Sequence, residues 1–227
     1  MKRRSLAGML TLGLTLGLTL GLALAPAPAA SQMWFFPDYA VPSANGAPAT
    51  WVAGTYGRGL NDDSGKIDAY GLVVGRTGEK VSFLGGVGQG RSDGEGELTL
   101  GGAVGVDVMQ GASTTVSVQG GVGWFSSDIG SETLTALRFP IGVAVKGMFQ
   151  TSEASIAPWI MPRVNISRLS GGGDSQTQTD LGASGGVSFT FPGGFGVHTA
   201  LDFLLADDAE PISFGMGAHY LIGGGGN

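Results

Sequence analysis

The sequence predicts an all-β chain, a transmembrane antiparallel up-and-down β-barrel of about ten strands, and three observations predict it. From about Thr50 onward, apolar residues recur at every second position, the period of a strand and not of a helix. The opposite face of the same runs is largely Gly, Ser and Thr with few mid-strand charges, unlike the Lys- and Glu-rich surface of a water-soluble sandwich or lipocalin-like barrel. The aromatic residues on the apolar face fall into two bands near the strand ends. Composition agrees: 227 residues, 42% hydrophobic, 13% charged, 43 Gly and no Cys. That length suits a single barrel, and the apolar content argues against disorder. The lack of Cys excludes a disulfide scaffold, a thiol nucleophile and a Cys-based zinc site. A net charge of −6 argues against nucleic acid as a partner.

The chain opens with Lys2, Arg3 and Arg4, the apolar run Leu6 to Leu24, and Ala25-Pro26-Ala27-Pro28-Ala29-Ala30. A basic start, an apolar centre and a small-residue exit describe a secretory signal peptide over residues 1–29, cut before Ala30. The alternative, a retained helical anchor, lacks the basic stop-transfer cluster that should follow it. Without the three leader residues, 9 of the 12 basic residues remain against 18 acidic ones, a mature charge of −9. Every later apolar stretch is interrupted within a few residues, so any membrane crossing must be made by strands. Residues 30–48, which include Met33-Trp34-Phe35-Phe36-Pro37-Asp38-Tyr39, are expected as an N-terminal tail whose aromatics touch the membrane rim or the barrel base. A plug is the alternative.

Ten strands follow, at roughly 49–59, 66–76, 79–90, 96–109, 113–126, 133–149, 154–168, 177–191, 195–206 and 211–223. Leu98, Leu100, Val104, Val106 and Val108 alternate with Thr99, Gly101, Ala103, Gly105 and Asp107. Leu137, Phe139, Ile141, Val143 and Val145 alternate with Arg138, Gly142, Ala144 and Lys146. Ile212, Phe214, Met216, Ala218, Tyr220 and Ile222 alternate with Ser213, Gly215, Gly217 and His219. Eight strands are the alternative, because the first runs are the least clean and Trp51 and Tyr56 fall on opposite faces. Short turns near Thr77-Gly78, Gln110-Gly111-Ala112, Gln150-Thr151-Ser152 and Pro192-Gly193-Gly194 interleave with longer acidic loops near Asn61-Asp62-Asp63, Asp93-Gly94-Glu95, Asp128 to Glu132, Gly171 to Asp174 and Asp207 to Glu210. Strands running alternately up and down then place Phe83, Phe149, Phe189, Phe191, Phe195 and Tyr220 at the short-turn rim. They place Tyr70, Trp124, Phe203 and Phe214 at the loop rim. Two such girdles are what lipid interfaces favour.

The pattern over about residues 50–223, ending in Gly217-x-x-Tyr220-x-Ile222, resembles the small single-chain bacterial outer-membrane β-barrels, the class that includes the OmpA membrane domain and OmpX. That ending is similar to a barrel-assembly signal. It departs from the usual form in having Ile222 where an aromatic end residue is expected, with a tail over 224–227. The resemblance implies an outer-membrane location, insertion by the outer-membrane assembly machinery, lipid as the surroundings, and a barrel over 49–223 with both termini periplasmic. A monomer is expected. The resemblance identifies no substrate.

Phase directs Asp107, Arg138, Lys146, Arg163, Asp180, His198, Asp202 and His219 into the lumen. Unpaired charges in a narrow lumen are costly, so these groups are expected to form a polar network by pairing with one another or with water. A largely glycine interior leaves room for a narrow pore for ions or small polar solutes, and the expected function is a structural barrel or such a pore. An adhesion barrel using the acidic loops is one alternative; carboxylates there, such as Asp62, Asp63, Asp93 and Glu95, could also hold Ca²⁺ or Mg²⁺. The other is an outer-membrane lipid-modifying enzyme or protease using His198, His219 and Asp202, with Ser184, Ser188 or Ser213 supplying a hydroxyl. No His-x-Ser arrangement follows either histidine, and both lie toward the short-turn end, so no catalytic residue, metal or cofactor is expected. Gly85-Gly86-x-Gly88 and Gly101-Gly102-x-x-Gly105 are followed by no helix and do not form a nucleotide loop.

Overall fold

A computed structural model describes residues 48–64, 67–92, 95–129, 132–206 and 209–222. The expected signal peptide, residues 30–47 of the tail, and the C-terminal tail 224–227 lie outside the described residues. The strands are β1 (Ala49–Gly59), β2 (Asp68–Thr77), β3 (Val81–Ser92), β4 (Glu95–Gln110), β5 (Thr114–Ile129) and β6 (Glu132–Gly147), then β8 (Ser155–Gly171), β9 (Asp174–Thr190), β10 (Phe195–Leu205) and β11 (Ile212–Ile222). The two-residue β7 (Phe149–Gln150) continues β6 past Met148 and pairs with the start of β8. Each strand pairs antiparallel with its sequence neighbours, and β1 closes on β11 from Thr50↔Ile222 to Gly59↔Ser213. The wall therefore has ten strands and no free edge, and the eight-strand alternative falls.

Register sets the width. Stepping across partners from Thr50 through Arg76, Phe83, Val104, Gly120, Ile141, Val164 and Leu181 to Leu205 returns to β1 offset by about twelve residues, the stagger of strongly tilted strands. Ten strands about 4.8 Å apart and tilted by about 40° make a wall of about 10 Å backbone radius. A bulge between Asp107 and Met109 in β4 turns both Val108 and Met109 outward and re-aims the end of the strand.

The apolar face points out. Leu72, Val108 and Leu181 are each more than 60% exposed, and Val104, Ile141, Ile160 and Leu201 lie half-exposed around the same belt. Polar residues such as Thr99, Ser117, Asn165 and Asp202 are buried inside. This inversion suits a barrel surrounded by hydrocarbon. The ten girdle aromatics all have outward phase, with Tyr70, Phe83, Phe149, Phe191, Phe195, Phe203 and Tyr220 exposed and Trp124, Phe189 and Phe214 half-buried.

The expected asymmetry between short turns and long loops needs correction. Only two residues separate β3 from β4, β5 from β6 and β8 from β9. The strands run on through the acidic stretches because antiparallel pairing satisfies the backbone whatever the side chains are, and Asp174-Ser175-Gln176-Thr177-Gln178-Thr179 has no apolar face to reveal a strand. Gly172 and Gly173, at φ 58° and 90°, make the tight reversal that two positive φ values permit. The upper connections that stay longer, after β1 and after β10, are tied together: Asn61 Nδ2 donates to the Glu210 carbonyl at 2.7 Å, and the Glu210 N–H donates to Asp63 Oδ2 at 2.9 Å. The result is a lopsided barrel, with strands of 10–12 residues at β10–β11–β1–β2–β3 and 16–17 residues from β4 to β9, apart from β7.

Candidate functional site

All eight residues phased into the lumen point inward, and register decides which of them meet. Arg163 on β8 has Gly142 on β6 and Gly182 on β9 as cross-strand partners, so no side chain blocks it on either flank. Its guanidinium passes over β9 and meets Asp202 on β10 at 2.6 Å, with both side chains essentially inaccessible to solvent. Asn165, fully buried, accepts through Oδ1 from Arg163 Nε and from Arg138, each at 3.2 Å, and its cross-strand partner is Asp180. Nearer the short-turn rim, Lys146 on β6 reaches over β5 to Asp107 on β4 at 3.5 Å, and Gln110 donates to the other Asp107 oxygen at 3.1 Å. Three cations and three carboxylates are thus gathered within one lumen, which limits the cost of taking charge out of water.

The histidines form a separate group at the same end on the opposite side of the barrel. The rings of His198 and His219 stack at 5.6 Å between centroids, with their Nδ1 atoms 3.4 Å apart, and Thr190 Oγ1 lies 3.0 Å from His219 Nε2. Asp202 stands four residues above His198 on the same strand, about 13 Å along it. The acid of the enzyme alternative is therefore placed with Arg163 and not within hydrogen-bonding distance of an imidazole. Ser188 is the cross-strand partner of His198, and Ser184 and Ser213 flank Asp202. Among the described residues, no three His, Asp or Glu side chains converge as a metal site would require.

Sequence reasoning missed the bulk that fills the interior. Trp51, Val73, Leu84, Phe125 and the small Ala53, Ala69, Ala103 and Ala136 form one buried apolar cluster, with Leu169 and Leu221 against it. Trp159 packs on Ala144 and Met161, and Met161 and Leu204 are each 1% exposed. The parity that makes Val52, Trp124 and Ile160 outward residues makes Trp51, Phe125 and Trp159 inward ones, so the signal was present in the alternation.

Several of the interior glycines lie beneath large rings. Gly75 is the cross-strand partner of Trp51, Gly196 of His219 and Gly217 of His198. In each pair the large ring lies over the glycine, and a Cβ built on the glycine would run into that ring. Glycine here makes sockets for specific rings, a cross-strand pairing that also pins register.

No family model matches the chain, and no curated protein does. Solved structures that it resembles include the N-terminal β-barrel domain of Pseudomonas aeruginosa OprF, at 14% identity over 77% of this chain and 97% of that one, with a TM-score of 0.38. Others are Ail, the attachment invasion locus protein of Yersinia pestis, at 12% over 77% and 97% with a TM-score of 0.40, and Neisserial surface protein A, at 13% over 79% and 97% with a TM-score of 0.39. Identities this low and TM-scores below 0.5 leave role and location to be read from this chain's own residues.

Proposed function

We propose that this protein is a bacterial outer-membrane barrel whose lumen is closed at mid-height, acting as a membrane-embedded structural barrel and not as an open pore. The observation that carries this is the buried band of Arg163, Asp202, Asn165, Met161 and Leu204, each no more than 4% exposed although all face the lumen. In a water-filled channel such side chains would be wetted. Reconstitution of the purified full-length barrel into planar bilayers is expected to give no discrete conductance steps; regular single-channel steps from the wild type would overturn this reading.

The membrane half of the proposal rests on the outward belt. Val143→Arg puts a guanidinium in its middle and is expected to cost about 2–4 kcal/mol of folding free energy in lipid vesicles, read as a lower urea midpoint. A change below about 0.5 kcal/mol would place water, not hydrocarbon, against Val143.

The long strands support a second reading, a surface for a partner. A 16-residue strand tilted by about 40° rises about 40 Å, against an apolar band about 25 Å tall. The excess lies at the rim away from the termini, where Ser126, Thr133, Ser170, Gln176 and Thr177 stand polar on both faces. Cells displaying a barrel with 170–175 deleted should lose binding to any host or cell-surface ligand that the intact barrel binds; unchanged binding would remove this reading.

A further inference from the structure

The outer wall carries a feature that a featureless lipid-facing belt does not need. On the short-strand flank, three successive outward rows can be read from the register. The lowest is Val197, Ala218, Gly54, Leu72 and Val87; the next is Met216, Tyr56, Tyr70 and Gln89; the highest is Phe214, Arg58, Asp68 and Arg91. Each row lies two residues further along the strands than the one before, about 7 Å along them and about 5 Å in height.

Because Gly54 and Ala218 have almost no side chain, the lowest row dips. The wall there forms an apolar groove of about 790 Å³, lined chiefly by Gly54, Tyr56, Tyr70, Leu72, Val197 and Met216. Above it, Tyr56 and Tyr70 pack at 5.2 Å between ring centroids, at the height where aromatic rings favour a membrane interface. The Tyr56 hydroxyl donates to Asp68 Oδ1 at 2.6 Å, and Arg58 Nε stands 3.9 Å from the same oxygen. Arg58 is more than half exposed, and Arg91 is exposed on the far side of Asp68 as its cross-strand partner. Arg91 donates to Gln89 Oε1 at 3.4 Å, so two arginines flank in register one carboxylate that a tyrosine already engages. The row therefore keeps net positive charge, on a chain that is otherwise strongly acidic.

We propose that this flank binds a membrane lipid with a phosphate on its headgroup: an acyl chain lies in the groove over Gly54, and the phosphate is held by Arg58 and Arg91 about 13 Å further along the strands, about 10 Å higher at their tilt. The vertical order of groove, tyrosines and arginines matches the order of acyl chain, interface and headgroup in one leaflet. Charge complementarity selects a phosphorylated lipid over a neutral one. Asp68 lies between the two arginines in the row, stands beside Arg58 and is a positioning residue. The proposal rests on the membrane reading above.

The test titrates the full-length barrel in neutral detergent with dioleoyl phosphatidic acid, with dioleoylglycerol and with inorganic phosphate, counting bound lipid by native mass spectrometry. One phosphatidic acid per barrel is expected, with binding at least tenfold weaker for dioleoylglycerol and none for inorganic phosphate at the same concentration. Arg58→Gln with Arg91→Gln is expected to weaken phosphatidic acid at least tenfold. Gly54→Leu, whose Cβ meets only Leu72 Cδ2 at an ordinary 4.0 Å, fills the groove and is expected to weaken it at least threefold with both arginines intact. Arg76→Gln, an outward arginine at the opposite rim, should leave binding unchanged. Equal binding of the lipid and its phosphate-free counterpart, equal binding by wild type and the double arginine variant, or an equal loss in Arg76→Gln would each overturn the proposal. Heat-dependent gel mobility reads membrane-barrel folding separately, so lost lipid binding with intact mobility counts against the docking site alone.

Discussion

Asp202→Ala is expected to destabilise the barrel by about 3–5 kcal/mol, the largest effect of any single carboxylate, because it removes the carboxylate that the buried Arg163 guanidinium meets at 2.6 Å. Both side chains of the pair are essentially inaccessible to solvent, so water does not screen the charge that is left. Urea titration of the refolded protein in vesicles reads the loss. Replacing both partners with apolar groups, Arg163→Met with Asp202→Leu, is expected to recover most of it, because the penalty comes from isolated charge and not from the absent ion pair. Asn165 then loses one of its two donors, so recovery should stop short of wild type. The same single variant tests closure: if water already reached the pair, Asp202→Ala would cost under about 1 kcal/mol, and the closed-lumen reading would fall with it.

Trp51→Ala is expected to cost about 3–5 kcal/mol, the second large effect, as it empties the centre of the apolar cluster that spans β1 to β6. Its partner gives a sharper test. A Cβ on Gly75 would enter the space of the indole, so Gly75→Val forces the ring out of its socket and is expected to cost about 1–3 kcal/mol or to block closure. With the indole gone, valine has room. The double variant Trp51→Ala, Gly75→Val should therefore cost less than the two single variants together by at least 1 kcal/mol. Strict additivity would mean that ring and glycine do not share the socket. Tryptophan fluorescence of Gly75→Val should also redden as the indole leaves its buried site.

Much of the barrel was legible because strand alternation is a local signal. Leu98 to Val108 and Leu137 to Val145 declare two faces within ten residues, and the inward phase of Asp107, Arg138, Lys146, Arg163, Asp180, His198, Asp202 and His219 followed from it. The upper halves of β8 and β9 were harder to read. Where a strand rises out of the apolar belt, its two faces look alike, and Asp174 to Gln176 fall outside the strand expected from 177, although every residue there is paired to β8. The bulge at Val108 was equally silent, since two adjacent apolar residues look like a continued strand until the partner shows one residue facing two.

The sequence by itself determined the alternating direction of the strands and which side chains face outward and which face the lumen, because each of these depends on neighbours two residues away; closure of β1 on β11 decided for ten strands over eight. Only the tertiary structure decided that Arg163 meets Asp202, that Lys146 meets Asp107, and that Trp51 lies over Gly75. The two ion pairs cross a whole intervening strand, and their partners are set by the stagger of a closed wall, a sum over ten registers that no single segment encodes. The same sum turns an interior rich in glycine from apparent empty space into sockets filled by rings.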